Sequence, residues 1–425
     1  MNYELIDMGA YNLHIIKTKR FKTITVDINF RTEVKKEEIT KRALLKEVLL
    51  NSNKNYKSER ELIIESENLY DLKLVSSSSR MGNYTNISFK TRFLHEMYTS
   101  KGMNEDSIAF LMDIIFNPNV NNGKFDDKVI EKCKNKIEKN IKSLKDNKLK
   151  YALFKLLESV KDKPYSFNSY GYLEDLEKID AKNLYEYYLD VINNNLIDVF
   201  VVGDVDETQI KEIMKKYFKA KTFHKNKSNI IVSELPVAKK IIDNMMNDDV
   251  NQTQLTILCG INNLTDFERK YVIKVYNELL GGSSNSILFD NVREKNSYAY
   301  YVNSDVKSYD NIMLIYSGIE PGNKNEVFKL IKKCMIDVSK GKFTNEALNN
   351  AKETLIGGIK ASLDSPSGII NNYFAKVLVN SDDFDDRIEN LKKVSANDII
   401  AVAKKINIYA MFTLEGKIDD EKNKD

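Results

Sequence analysis

Apolar and polar positions along this chain fall into two rhythms, a period of two in short runs and a period near 3.6 in longer ones. LHIIKTKRFKTITVDINFRTEV, residues 13–34, reads as two strands of partly alternating character around a polar turn. LKLVSSSS and YTNISFKTRFL, between residues 72 and 94, read as a second pair around Gly82. Between them EEITKRALLKEVLLN has apolar residues at helical spacing, as do residues 104–116 and 127–160. The later part of the chain repeats the scheme, with a strand at QTQLTILCGI (252–261), a helix at 266–280, strands near 298–318 and helices to about 404. These elements predict an α+β protein.

The pattern also repeats in its letters. GKFDDKVIEKCKNKIEKNIKSLKDN (123–147) lies over GKFTNEALNNAKETLIGGIKASLDS (341–365) without a gap at an offset of 218 residues. Gly123 meets Gly341, Phe125 meets Phe343, Ile141 meets Ile359 and Asp146 meets Asp364. A second echo pairs LIDVFVVGDVD (196–206) with INIYAMFTLEGKID (406–419), each an apolar strand followed by Gly, an aliphatic residue and Asp. Two matches in the same order predict a duplicated α+β domain. HKNKSNIIVSELPVAKK (224–240) is polar, carries Pro236 and is the expected linker, leaving residues 1–223 and 241–425 as the two domains.

Composition narrows the chemistry. A chain of 425 residues with 42% hydrophobic and 30% charged positions can bury two cores of ordinary size. Its 65 Lys+Arg and 62 Asp+Glu nearly cancel, so no net field favours nucleic acid or an anionic membrane. The lysine-rich segment 124–150 has ten lysines but also five acids, as a solvated helix face does. With neither a leader pattern at the start nor a run of 18 apolar residues, the expected location is the cytoplasm. Cys133, Cys259 and Cys334 form no metal or disulfide spacing and are expected as small packing residues. The richness in Lys, Asn and Ile suggests a low-GC bacterium.

One stretch carries a family likeness: LLGGSSNSILFDNVREKNSYAYYV, residues 279–302. Together with KPYSFNSYGYLEDLEKI (163–179) and VVGDVD (201–206), it resembles the M16 (insulinase/pitrilysin) peptidase family in its bacterial form. The likeness spans nearly the whole chain. It implies two homologous α+β domains of the LuxS/M16 metallopeptidase type, forming half of a clamshell that closes with a second subunit around a peptide. It also implies a zinc site, built from HxxEH on one helix and a Glu on a later helix. Histidines at i and i+4 share a helix face, so both can reach one ion while the enclosed Glu activates water.

This chain departs from that pattern. The helix that should carry the motif is TKRALLKEVLLNSNKNYKSERE (40–61), and the five motif positions read Ala43, Leu44, Leu45, Lys46 and Glu47. The later Glu is expected near Lys139 or Asn140, where only the neighbouring Glu138 is acidic. His14, His95 and His224 are the only histidines, and none has a partner at the required spacing. No metal is therefore expected on this chain.

An arginine and a tyrosine seven residues apart survive, at Arg293 and Tyr300. The likeness assigns them to holding the peptide and stabilising the oxyanion opposite the zinc, and a guanidinium and a phenol O–H suit that charge. Gly281 and Gly282 would let a loop turn tightly beside the substrate. The plain alternative is an Arg that pairs with Glu294 or Asp290 and a Tyr that packs, as Tyr298 and Tyr301 are expected to do. The implied function is a non-catalytic subunit of a heteromeric zinc peptidase. An HxxEH-containing partner would supply the zinc, and a homodimer would enclose no metal. A purely structural or peptide-binding homologue and a peptidase with an unrecognised metal site are the other readings. The RALL and NYKSEREL segments also resemble a degenerate Gram-positive partner linked by name to elongation factor P modification.

Overall fold

The computed structural model describes residues 1–219 and 233–416, so His224 and most of the expected linker lie outside the described residues. In chain order, the first strands and helices are β1 (Asn2–Asp7), β2 (Asn12–Lys17), β3 (Thr23–Glu33), α1 (Lys36–Leu49), α2 (Glu59–Asn68), β4 (Lys73–Met81) and β5 (Tyr84–Leu94). There follow α3 (Met103–Phe116), the short ribbon β6 (Val120–Asn121) and β7 (Lys124–Phe125), α4 (Asp127–Lys142), α5 (Lys148–Glu158), α6 (Leu173–Leu176), α7 (Ala181–Asn194), β8 (Leu196–Gly203) and α8 (Glu207–Tyr217). The later part holds β9 (Ile242–Asn247), β10 (Thr253–Ile261), α9 (Ile273–Asn277), β11 (Ala299–Lys307), β12 (Ile312–Ile319) and α10 (Lys324–Ser339). It closes with α11 (Asn345–Ser362), α12 (Pro366–Val379), α13 (Phe384–Lys393), α14 (Ala396–Ala403) and β13 (Ile406–Glu415).

Two compact units result. One comprises Met1–Lys142, the described part of Asn168–Asn229, and Leu363–Leu378; the other comprises Ser143–Phe167, the described part of Ile230–Ser362, and the described part of Val379–Asp425. The first sheet runs β1-β2-β8-β3-β5-β4 and the second β11-β12-β10-β13-β9. Read from the opposite edge, the second order is β9-β13-β10-β12-β11, which follows the first from β2 onward. Each sheet has one parallel pair at the matching place, β2 with β8 and β9 with β13. The duplication read from the letters is thus visible in strand order. Gly123 and Gly341 share a left-handed backbone, φ +73 and +77, just before α4 and α11.

Each sheet has two faces to bury, and the second is covered by a helix from the other half of the sequence. In the first unit the inward residues of β3, Ile24, Val26, Ile28 and Phe30, join α1, α3 and α7 in one large core. On the other face α12 lies down, with Tyr373 stacked on Tyr3 at 4.4 Å and Phe374 edge-on to Phe200 at 5.9 Å. In the second unit α5 plays this part. Its Tyr151, Ala152 and Leu156 bury against Leu258, Leu314, Phe412 and Leu414. Helices α5 and α12 occupy corresponding places in the repeat, because Lys148 and Pro366 are 218 residues apart. The expected continuous helices over 40–61 and 127–160 are each broken in two. Ser58 caps α2 by accepting from Glu61 N–H, and Asn147 caps α5 by accepting from Lys150 N–H.

The face under α12 is polar where its counterpart is apolar. Asp198, fully buried, accepts from Arg31 at 3.0 Å and lies 3.3 Å from His14 Nε2, while Tyr3 Oη is 2.9 Å from His14 Nδ1. Burial pushes the Asp198 carboxyl up, but the hydrogen bond from His14 and the charge of Arg31 outweigh it and hold the acid below its usual range. A depressed carboxylate adds stability that is complete above its unfolded pKa of about 4 and is lost as pH falls through the folded value.

Two outcomes follow from this arrangement. Asp198→Asn should cost about 3–5 kcal/mol at pH 7, because it removes the negative charge that the buried Arg31 guanidinium faces, and urea titrations should show the gap to wild type narrowing below pH 4. Residues 1–240 expressed alone lack α12, so the fragment should bind a hydrophobic dye and show no cooperative thermal transition; a sharp transition equal to that of the full chain would remove the argument.

Candidate functional site

The motif positions sit in the middle of α1, and the helix places them by its own periodicity. Ala43, Leu44 and Leu45 are buried, the two leucines almost completely, and all three belong to the core of the first unit. Each buried leucine is worth about 1.5–3 kcal/mol relative to exposure. Lys46 and Glu47 turn outward, and Glu47 Oε2 takes an ion pair from Lys136 Nζ on α4 at 2.7 Å. That carboxylate holds Lys136 above the ordinary lysine range. The later residue that reaches the motif is therefore Lys136, about one turn before the expected Lys139 or Asn140.

Glu47, Lys132, Cys133 and Lys136 line a cavity of about 400 Å³, floored by Leu50, Leu62, Leu72 and Leu74. Lys132 pairs with Glu59 at 2.9 Å, and burial with the nearby Glu47 charge pushes the Cys133 thiol up to about 12, which makes it inert. A zinc ion does not fit these residues. Ala43 offers no donor atom, Lys46 brings a positive charge where the family has its base, and Glu47 is committed to Lys136. No group of three or more candidate ligands occurs among the described residues. His95 caps a short turn by accepting from Met97 N–H, and His14 belongs to the Asp198 network.

The arginine and tyrosine lie around one chain reversal in the second unit. A helical run starts at Thr265, whose hydroxyl accepts from Glu268 N–H while Glu268 accepts from Thr265 N–H. It widens into π-turns at Glu268–Val272 and Glu278–Gly282, and a further one at Phe289–Glu294 carries Arg293. Such turns are rare and are frequent at functional sites. The chain then reverses through Ser297, whose φ is +53, with Ser297 N–H bonded to Arg293 O at 3.0 Å and Tyr298 N–H to Val292 O at 3.1 Å.

Tyr300 follows on β11, at the edge of its sheet. Ala299 pairs with Ile319 and Tyr301 with Gly318, so Tyr300 is the extra residue of a β-bulge. A bulge re-aims the side chain it inserts, and Tyr300 is 59% exposed with no hydrogen bond among the described residues. Tyr301 instead bonds Gln254 Oε1 and lies over Gly318, where an added Cβ would clash with its ring. Tyr298 packs on the core. The Arg293 guanidinium lies over the Phe289 ring at 4.8 Å, and its 3.8 Å approach to Glu294 is too long for a hydrogen bond. Asp290 is taken by Lys295 at 2.6 Å.

Gly281 and Gly282 serve a different purpose from a tight turn. Neither has a positive φ. A Cβ on Gly281 would meet Ser304 Oγ at 2.7 Å, and one on Gly282 would meet Glu278 Oε2 at 2.6 Å. Gly281 is small so that the helical run can approach Ser304 of β11 closely, whereas Gly282 leaves room for the Glu278 and Asn277 side chains of its own run.

No described helix is long and apolar enough to cross a membrane. A family model described as "Peptidase M16 inactive domain" matches residues 178–355. Over 418 residues the chain is 28% identical to the "Probable inactive metalloprotease YmfF" of Bacillus subtilis, with 96% of each chain covered. Its fold matches the crystal structure of a conserved protein from Enterococcus faecalis with a TM-score of 0.90 at 25% identity, covering 99% of this chain and 100% of that one. It also matches a peptidase M16 inactive domain from Pseudomonas fluorescens with a TM-score of 0.80 at 16% identity, covering 98% of each.

The purified chain, loaded with excess zinc and then desalted, should retain far less than one ion per molecule by mass spectrometry of the metal. Stoichiometric zinc would overturn the reading of α1.

Proposed function

The chain belongs to the M16 peptidase family, and from that premise we propose that it is the non-catalytic subunit of a heteromeric zinc peptidase. Its relative from Bacillus subtilis is named a probable inactive metalloprotease, which agrees with core leucines standing at the metal motif. A separately encoded HxxEH subunit supplies zinc, water and general base. This chain contributes Arg293 and Tyr300, which bind peptide carbonyl groups and donate to the oxyanion across a closed chamber.

The observation that carries the reading is the contrast between the two places. At the motif, the residues are buried in the core or tied up in ion pairs. At the reversal, a guanidinium and a phenol O–H stand exposed, with no strong hydrogen bond engaging either among the described residues. A β-bulge and a π-turn hold them there, which are costly local geometries for two residues that add little to the core. The unpaired edge of β4, beside the Glu47 cavity, gives an extended peptide a second place to hydrogen-bond. The link by name to elongation factor P modification rests on the likeness of segments alone and names no substrate.

A quenched peptide library offered to this chain, to its HxxEH homologue and to their mixture tests the proposal. Only the mixture should cleave, and Arg293→Ala or Tyr300→Phe should lower its rate by about 100- to 1,000-fold, the range for losing one oxyanion donor, while gel filtration shows the complex intact. If the homologue cleaves equally well alone, or the two variants leave the rate unchanged, the chain is a structural or peptide-binding homologue.

A further inference from the structure

The cavity beside α1 is sorted by polarity. Each lysine that lines it carries a carboxylate of its own: Lys136 with Glu47 at 2.7 Å, Lys132 with Glu59 at 2.9 Å and Lys73 with Asp71 at 2.6 Å. All three lysine side chains are more than half exposed, so the pairs ring the mouth and leave the interior to the leucine floor and to Cys133, whose thiol stays protonated. Glu67 is the lining carboxylate outside these pairs, which gives the rim a slight excess of negative charge. Ile63 and Val75, both exposed, form an apolar lip. A hollow of about 400 Å³ with an aliphatic floor and neutralised walls has the size and character of a ligand site.

Leu74 and Val75 belong to β4, whose outer edge has no partner strand among the described residues. Its pairing with β5 runs from Lys73 with Arg92 to Met81 with Tyr84 without a bulge. Residues 74–79 contain neither charge nor proline, the devices by which a sheet edge refuses a further strand. The chain enters β4 through two successive left-handed residues, Tyr70 and Asp71, with φ +58 and +57. Such backbone is costly for residues with a Cβ. Here it sets Asp71 against Lys73, so even the lysine at the head of the edge is neutralised. A strand laid beside β4 passes the mouth of the cavity with its side chains alternating between faces. A residue level with Leu74 on the helix side enters the hollow. Its neighbours face the other side, where Ser77 Oγ lies 3.0 Å from Ser88 Oγ and Ser79 is exposed.

We propose that this cavity is a side-chain pocket that selects the peptide: a large aliphatic or aromatic residue enters it, polar residues flank that residue, and the peptide backbone adds to β4. The inference rests on the reading that the chain binds peptide and names the class of peptide, but it needs neither zinc nor Arg293 and Tyr300. A second copy of the chain is a poorer occupant. Its own β4 would offer mostly serines, Ser76 to Ser79, which are too small to cover four leucines. An acidic side chain meets the excess of carboxylates at the rim, and a lysine finds the nearest carboxylates already paired.

Fluorescence anisotropy of the full chain with short capped peptides tests the pocket. The peptides carry Phe, Leu, Asp or Lys at one central position between Ser and Thr flanks. The Phe and Leu peptides should bind about 10-fold or more tighter than the other two, and N-methylation of alternate backbone amides should abolish binding. Ile63→Asp, at an exposed position, should weaken the Phe peptide by a similar factor without lowering the melting temperature, while Arg293→Ala should leave it unaltered. Equal affinity for all four peptides, no binding, or an effect of Arg293→Ala in place of Ile63→Asp would overturn the proposal. A dimer seen by sedimentation and dissolved by Ser77→Pro would give the edge to a second copy and overturn it as well. Selective binding by a chain whose mixture with the HxxEH homologue fails to cleave keeps the pocket and removes the subunit reading; cleavage by the mixture with unselective binding does the reverse.

Discussion

The constraint on which the rest depends is that each sheet has two faces to bury and its own half of the sequence covers only one. The second cover arrives from the other half, α12 over the first sheet and α5 over the second. Neither half of the sequence therefore holds a complete hydrophobic core, although the repeat makes each look like a domain. The two covers meet different surfaces. Helix α5 meets an apolar face, while α12 meets Asp198, His14 and Arg31, a buried charge network whose members depend on one another for compensation.

Burial also explains what became of the motif helix. α1 is packed against the first sheet and against α4, so its inward positions answer to the core whatever the outward ones do. Leu44 and Leu45 occupy core places in any case; the metal would have needed donors at 43 and 47, on the side where α4 approaches. At those places stand a methyl group and a carboxylate, and the carboxylate has exchanged an ion for the ammonium of Lys136. A divalent cation would have to displace a lysine with two more lysines nearby, Lys46 and Lys132, a cost that a single glutamate cannot offset.

Much of this was legible in the letters because the strongest signals were periodic. The α+β class, the order of strands and helices, and the repeat at an offset of 218 residues all come from runs with a regular apolar rhythm. The edge strands β1 and β9 were not legible. NYELID and IDNMMN are mostly half-buried or exposed, so they lack the alternation that marks a strand with one face in a core. Nor could the breaks at 50–58 and 143–147 be read, since polar caps within an otherwise helical rhythm look like surface positions. The cover given by α12 was invisible for a related reason: a contact between Tyr3 and Tyr373 leaves no local trace.

The site divides in the same way. Arg293 and Tyr300 are proposed through a family likeness, and their spacing alone does not distinguish them from packing residues. What the fold adds is the contrast among three tyrosines within four residues at the entry to one strand. Tyr298 packs, Tyr301 is bonded to Gln254 over Gly318, and Tyr300, between them in the register, is the one the bulge frees. A regular strand would place 300 opposite in face to 299 and 301 but would still pair its backbone with β12; the bulge removes even that obligation. A tyrosine there contributes little to the core, and a phenol held outward on a sheet edge is compatible with the proposed recognition of a peptide carbonyl.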